Sequence, residues 1–533
     1  MLQQALSISK DPVLRMALIA QDAPDHLGVR GGEPRPLPAP RDNDVVISVQ
    51  PNDMPRGRTR LDPNGFSSAS SFSANEVQLI SGNRFVLFNT ATGQKTETLL
   101  QVTVPNAPAP GRLALVGAKI ITMEDSPGND QVIEKGNIIV ENGKLLCVGE
   151  CQPAPGDTVM DMAGKTIIPG LIDMHAHIGR GEGADDGVPM RRNMRLSTVL
   201  AYGVTTVRDP SGSNINHPLL RDLTEVGYTL GPRTYGTGQV VSEGGFIGFG
   251  DHVNINNMED ARYHVSARLA VGVESLKNFR VANRKKHQYL IEAAREHNMP
   301  VTGEGASPIL ALGFAMDGQT GWEHAIAALP LFKDMTTFLA KTGVTHSPTM
   351  TIIGWPDGTQ TYFRPYAQLQ NDPMYRYVAS KSFIEGRNTR SMVQQPKERF
   401  WHPVYAEASA DIQRAGGFVT SGEHGEQPGI GTHWDIWTFA DAMTEIEALY
   451  TATVAGAHFL GAQDQIGSLK AGKLADLVVL NNDPLRNIRN TADIAYVVTD
   501  GRLLQRSTLD QVWPQKVPMG FRPWSRDSYA PAK

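Results

Sequence analysis

From His175 to about residue 460, short β-branched runs alternate with amphipathic stretches: Val204-Thr205-Thr206-Val207 precedes residues 219–226, and residues 287–298 precede Pro300-Val301-Thr302. A strand followed by a helix, repeated, returns the chain to the same edge each time and so builds a parallel sheet. The pattern predicts an α/β fold, a (β/α)8 TIM barrel over residues 171–462. The flanks differ. Residues 1–110 are rich in Pro, Gly, Ser and Asn, with short alternating apolar runs at 45–49 and 84–88, and read as a β-rich N-terminal region. Residues 88–96, with Gly93 between a strand end and a polar strand, read as a hairpin of the kind found in a propeller blade. A Pro-rich linker at 105–111 follows. Residues 111–170, punctuated by Gly136, Gly143, Gly149 and Gly164, predict the first part of a small β-sandwich; residues 463–510 predict the second part, and 511–533 a C-terminal tail.

The hydrophobic fraction of 40%, the charged fraction of 20% and a net charge of -5 belong to an ordinary globular protein and carry no polyanion-binding signature, so nucleic acid is not an expected partner. With only Cys147 and Cys151, a disulfide scaffold and a zinc ribbon are excluded and one local bridge is allowed. The apolar run at 16–20 is too short for a signal peptide, and nothing later resembles a membrane span. Assembly into a homo-oligomer is left open.

The chemistry concentrates at predicted strand ends. His175-Ala176-His177 follows the apolar run 166–174, and two imidazoles at i and i+2 on an extended strand face the same way, offering both nitrogens to one cation. Lys277 ends another apolar stretch: it is either a surface lysine with its stem buried, or a desolvated amine able to take up carbon dioxide as a carbamate bridging two cations. Glu304 lies between Gly303 and Gly305, His324 follows Trp322-Glu323, and Glu423-His424 sits in Ser421-Gly422-Glu423-His424-Gly425. Glu304 and Glu323-His324 each also fit solvated loop groups, but five such strand ends in one barrel-length stretch point to a metal site.

At these residues the chain resembles the amidohydrolase superfamily, specifically its imidazolonepropionase-like and prolidase-like members. The motifs are Pro169-Gly-Leu-Ile-Asp173-Met-His175-Ala-His177, Gly203-Val-Thr-Thr206-Val-Arg208-Asp209, Leu276-Lys277, Trp322-Glu323-His324 and Gly467-Ser-Leu-Lys-Ala-Gly472-Lys473-Leu-Ala475-Asp476. A narrower likeness, through Glu304-Gly305, Gly422-Glu423-His424-Gly425 and Gly429-Ile-Gly-Thr-His433-Trp434-Asp435, is to members fused behind a TolB-type propeller; residues 1–110 would then be a propeller remnant, and a periplasmic location follows from that likeness. Two positions depart from the wider pattern: Glu304 stands where most members place a fifth-strand histidine, and His424 where most place an eighth-strand aspartate.

The resemblance implies a metal-dependent hydrolase of C–N bonds in a small amide or peptide-like substrate, with one or two divalent ions, zinc foremost, activating water. It assigns His175, His177 and His424 to one ion, Glu304 and His324 to the other, and carboxylated Lys277 as the bridge. Glu423 and His424 are the acid–base candidates, with Asp435 a weaker third. His433 and Asp209 are expected at the substrate, although His433 equally fits a packed loop residue and Asp209 a support of the barrel mouth. Residues 242–250 are expected to form a mobile active-site loop, and Trp355, Tyr362, Phe363 and Tyr366 either an apolar lid or local packing. The same site would serve a lactone or ester hydrolase, and an emptied site would leave a non-catalytic binding protein.

Overall fold

The computed structural model describes residues 68–99 apart from 74–75, 82–83 and 90, then 111–124, 131–178, 192–212, 216–242, 255–270, 272–279, 283–304, 308–326, 329–354, 358–388 and 395–529. The expectations for residues 16–20 and 45–49, for the glycine-rich loop beyond Ser242 and for Trp355 lie outside these residues.

Four strands, β1 (Ser68–Ser73), β2 (Glu76–Ser81), β3 (Arg84–Asn89) and β4 (Lys95–Leu99), form an antiparallel meander in chain order. Its last turn is set by Asn89, whose Oδ1 accepts from the amides of Ala91 and Thr92 at 3.0 Å each, and by Gly93 at φ 74°.

A nine-stranded sheet follows. It comprises β5 (Arg112–Ile121), β6 (Val132–Glu141), β7 (Lys144–Gly149), β8 (Thr158–Asp161) and β9 (Thr166–Pro169) from one stretch of chain. From near the C-terminus come β18 (Leu477–Leu480), β19 (Ile494–Thr499), β20 (Arg502–Gln505) and β21 (Gln511–Trp513). Hydrogen bonding runs continuously through both stretches, because β9 pairs with β5 on one side and with β18 on the other. Alternation gives the sheet two apolar faces. Ile167, Leu477 and Val479 pack with Leu113, Leu115 and Ile138, whereas Ile168, Val478 and Leu480 pack with Leu200, Val204 and Leu449 of the α/β unit. Cys147, in β7, is disulfide-bonded to Cys151.

The α/β unit carries its parallel strands in two ladders: β10 (Leu171–Asp173), β11 (Val204–Asp209) and β12 (Arg233–Gly236), then β13 (Val241–Ser242), β14 (Leu276–Phe279), β15 (Val301–Glu304), β16 (Gly321–Glu323) and β17 (Thr345–Ser347). Residues 418–421 lie between the two, since His346 N donates to Phe418 O at 2.8 Å, Thr420 N to His346 O at 2.8 Å and Met174 N to Ser421 O at 3.0 Å. Between β12 and β14 the stitching is by side chains: Ser275 Oγ donates to Gly236 O at 3.0 Å, and Gly236 N donates to Glu274 Oε2 at 3.1 Å. The architecture is thus a mixed α/β fold whose parallel ladder is interrupted at this point among the described residues. No helix among them is long and apolar enough to cross a membrane.

One local expectation is corrected and another resolved. The strand before the histidine pair ends at Asp173, and His177 adopts φ 42°, so the two imidazoles converge through a turn rather than from one face of an extended strand. Of the two readings for the aromatic residues, local packing holds for Tyr362 and Phe363 of helix Thr359–Ala367, Phe363 stacking on Trp434 at 5.3 Å and Tyr362 lying 5.4 Å from Phe400, while Tyr366 is largely exposed. Large rings near one another bury more area against each other than over a wet cleft.

Gly170, between β9 and β10, marks where the sheet hands the chain to the parallel strands. A Cβ there would lie 2.0 Å from Thr205 Oγ1, closer than any contact allows. Gly170→Ala is expected to cost about 1–3 kcal/mol through overpacking, read as a lowered denaturant midpoint; an unchanged midpoint would show that β11 yields freely.

Candidate metal centre

Four imidazoles meet where the parallel strands end. His175 and His177 follow β10, His324 follows β16, and His424 follows the segment 418–421. Ring centroids are 4.8 Å apart for His175–His177, 4.7 Å for His175–His324, 4.8 Å for His177–His424 and 5.2 Å for His324–His424. The coordinating atoms of His175, His177 and His424 lie within 4.8 Å of one another. His177, His324 and His424 take left-handed φ values of 42°, 66° and 69°. Such values are uncommon for non-glycine residues, and they turn each ring back over the strand ends. Close backbone approach permits this at the last of them: a Cβ on Gly422 would lie 2.7 Å from His175 Cβ, and one on Gly425 2.8 Å from His177 Cβ.

The outer nitrogens of three of the rings are engaged by neighbours. His175 Nδ1 lies 2.5 Å from Glu323 Oε2, and the other oxygen of Glu323 accepts from Arg208 Nη1 at 2.8 Å, all three groups being buried. Arg208 is itself placed by Thr302 Oγ1 at 2.8 Å. His177 Nδ1 is 2.9 Å from Ser211 Oγ and 3.7 Å from Asp209 Oδ1. His324 Nδ1 is 2.6 Å from Thr349 Oγ1, which already donates to Pro348 O at 2.7 Å and must therefore accept from the ring. With their Nδ1 atoms engaged outward, His175 and His177 bring their Nε2 atoms to 3.1 Å from each other, and His324 Nε2 lies 3.1 Å from Glu304 Oε1. Imidazole nitrogens converging at this range form a group that could hold a metal ion.

Electrostatics agree. Burial drives His175 well below the usual imidazole range and takes His424 down to about 4, so both rings are neutral and available as ligands. Burial alone would raise Glu304, but Lys277, 2.8 Å away, and His324 outweigh it and hold the carboxylate well below its ordinary value. Glu323 is likewise pushed up by burial and pulled further down by Arg208 and His175.

The remaining expected residues go elsewhere. Glu423 is fully buried and turned to the start of helix Ile430–Phe439, where its Oε2 accepts from Gln427 N at 2.9 Å; its contacts among the described residues include none of the four imidazoles, which argues against its assignment as an acid–base group. Asp435 accepts from Thr351 N at 3.0 Å and Gly422 N at 2.9 Å, tying down the segment before His424. His433 corrects the substrate-binding expectation: it is in that helix, not in a loop, and its nitrogens reach Thr491 Oγ1 at 3.0 Å and Tyr202 O at 2.8 Å, leaving nothing for a substrate. Asp209 touches the site through His177. Arg208, Glu323, Ser211 and Thr349 were not singled out for roles from sequence. Glu323 alone carried a signal, as a charged residue beside His324 in an otherwise apolar strand.

Burial lowers His433 to about 4. Between that value and an unfolded value near 6.5 the unfolded chain binds the extra proton, so stability falls as pH drops through this window, by about 3 kcal/mol for this group. Denaturation midpoints taken from pH 7 to pH 4.5 should fall less steeply in His433→Gln; parallel slopes would count against the assignment.

Residues 433–504 match the amidohydrolase family. The 5-methylthioadenosine/S-adenosylhomocysteine deaminase of Bacillus thuringiensis (strain Al Hakam) is 42% identical over 66 residues, 12% of this chain and 14% of that protein; the enamidase of Eubacterium barkeri is 38% identical over 80 residues, 14% of this chain and 20% of that protein. These matches thus span a fifth or less of the relatives' length. The crystal structure of a Xaa-Pro dipeptidase with methionine bound in its active site shares the fold over 74% of this chain and 100% of its own, at 18% identity and a TM-score of 0.56.

Proposed function

We propose that this chain, a member of the amidohydrolase superfamily, is a metal-dependent hydrolase of carbon–nitrogen bonds acting on a small amide or peptide-like substrate. The observation that carries this is the approach of His175 Nε2 and His177 Nε2 to 3.1 Å within a cluster of four histidines at the strand ends. The relatives named as a deaminase, an enamidase and a dipeptidase support the bond class.

In this reading β12 and β13 are the two halves of one broken strand, and with it the ladders and residues 418–421 make the eight strands of a (β/α)8 barrel, the Ser275 and Glu274 bonds to Gly236 covering the interrupted seam. His175, His177 and His424 hold one divalent ion, zinc by their donor type. Glu304 and His324 hold a second, with Lys277 beside Glu304 as the carboxylation candidate. Such ions supply an activated water and polarise the scissile carbonyl. The protein's own part is positional. Glu323 keeps the Nδ1 proton of His175 turned outward, Ser211 engages Nδ1 of His177, Arg208 keeps Glu323 ionised, and Thr349 accepts from Nδ1 of His324. If His424 is left off the ion, it is instead the acid–base group, its Nδ1 3.8 Å from Glu426 Oε1.

The protein purified from zinc-supplemented medium is expected to carry stoichiometric zinc by elemental analysis and to cleave members of a panel of dipeptides and N-acyl amino acids. His175→Ala should lose both. Metal-free protein inactive on the whole panel, with His175→Ala indistinguishable from it, would reject the hydrolase and leave a binding protein. Glu323→Gln should weaken zinc affinity about 10- to 100-fold in a competitive chelator titration, and should also lower the thermal melt of the chelated protein, because buried Arg208 loses its carboxylate.

A further inference from the structure

We propose that residues 519–527, near the C-terminus, are a positioning strap for His424: they fix helix Lys381–Asn388, and that helix fixes the turn on which His424 stands. This rests on the metal-centre reading above, with His424 among the ligands, and extends it to a stretch of chain beyond the nine-stranded sheet.

Helix Lys381–Asn388 has eight residues, too few to be stable alone in water, and the amides of its first turn need partners from outside it. Phe383 N finds Ser380 Oγ at 3.2 Å. The two amides before it are taken by one residue of the C-terminal segment: Lys381 N donates to Asp527 O at 2.7 Å, and Ser382 N to Asp527 Oδ2 at 2.8 Å. A carboxylate at that end also suits the helix dipole. Asp527 is held in turn by its neighbours. Buried Trp524 donates Nε1 to Tyr377 O at 3.2 Å, and Arg522 donates Nη1 to the same oxygen at 2.6 Å while its guanidinium lies 3.7 Å from the centroid of the Tyr377 ring. Tyr377 belongs to helix Pro373–Val378, so the segment grips both sides of the bend between the two helices.

The other end of helix Lys381–Asn388 reaches the metal centre. Phe383 and Arg387 stand one turn apart on one face, and the Arg387 guanidinium lies 5.2 Å from the centroid of the Phe383 ring. Arg387 pairs with Glu426, and its Nη2 is 3.5 Å from Gly425 O, which also accepts from Arg195 Nη1 at 3.0 Å. Gly425 and Glu426 directly follow His424. That turn has little slack, since His424 and Gly425 take φ values of 69° and 68° and a Cβ on Gly425 would lie 2.8 Å from Ala176 O. Pinned at its start by Asp527 and bound to the turn through Arg387, the helix acts as a lever: a tilt at its first turn is carried about 8 Å along the axis to the guanidinium. Contacts that served only to anchor the tail could end on helix Pro373–Val378; the bonds to the amides of Lys381 and Ser382 carry the hold past the bend.

The test uses the full chain and reads zinc affinity by competitive chelator titration and, on the metal-free protein, backbone hydrogen exchange by mass spectrometry. Asp527 is exposed, so its truncation opens no cavity. Asp527→Ala should weaken zinc binding about tenfold, at the lower end of what losing an outer partner of a metal ligand costs, and should speed exchange at 381–388 and at 421–428 alike. Asp527→Asn, which keeps an oxygen acceptor for Ser382 N, should recover most of the loss. Arg387→Met should weaken zinc binding by a similar factor, and the double variant Asp527→Ala/Arg387→Met by no more than Arg387→Met alone, because both act along one path. Additive losses overturn the proposal, as does faster exchange confined to 381–388 with zinc affinity unchanged. The exchange measurement separates the strap from the reading on which it rests. A wild type that binds no zinc rejects the metal centre, and exchange at 421–428 that still responds to Asp527 then keeps the strap; zinc bound equally well by wild type and all three variants does the reverse.

Discussion

Two imidazole nitrogens only 3.1 Å apart at the ends of the parallel strands are held there by force from behind. Here the force comes from Glu323 on His175 and from Asp209 with Ser211 on His177. Arg208 holds the first carboxylate in its ionised state, and Thr302 holds Arg208. The chain of buried contacts runs across three parallel strands, so the ladder is not merely a platform for the histidines. It sets their protonation.

Much of this was legible in the residues. Alternation of β-branched runs with amphipathic stretches marks the parallel strands, and His175, His177, His324 and His424 stand out because each follows such a run. The ring neighbours of these histidines were not legible. Glu323 and Arg208 are single charges inside apolar strands, and nothing in a linear pattern says that they meet each other rather than solvent. His433 misleads for the opposite reason. A histidine next to Trp434 near a strand end has the look of a site residue, yet helix formation from Ile430 rotates it onto Tyr202 and Thr491. Which side of a helix a residue occupies depends on where the helix starts, and Gly429 at φ 79° starts this one without a side-chain cap.

Carboxylates near the centre divide by what they face. Glu304 and Glu323 see cations and stay ionised despite burial, whereas Glu423 and Asp435 see backbone amides and one another's neighbourhood, and burial with Asp173 nearby raises both. In the proposed centre Glu304 is itself a ligand and Glu323 orients one; the second two clamp the segment that carries His424. Such a division is invisible to composition, because the four residues are chemically alike and differ only in the groups that folding brings opposite them.

The pairing of β9 with β18 joins strands from opposite ends of the α/β unit. Synthesis delivers the segment bearing His175 and His177 early, but the strand that flanks its base arrives only after nearly all of the helices have been made. A nascent chain therefore holds its first two histidines in an unfinished frame, and a metal ion captured then would find fewer and looser partners than the completed molecule provides. If the centre holds an ion as proposed, closure of this long-range seam completes the frame that would bind it.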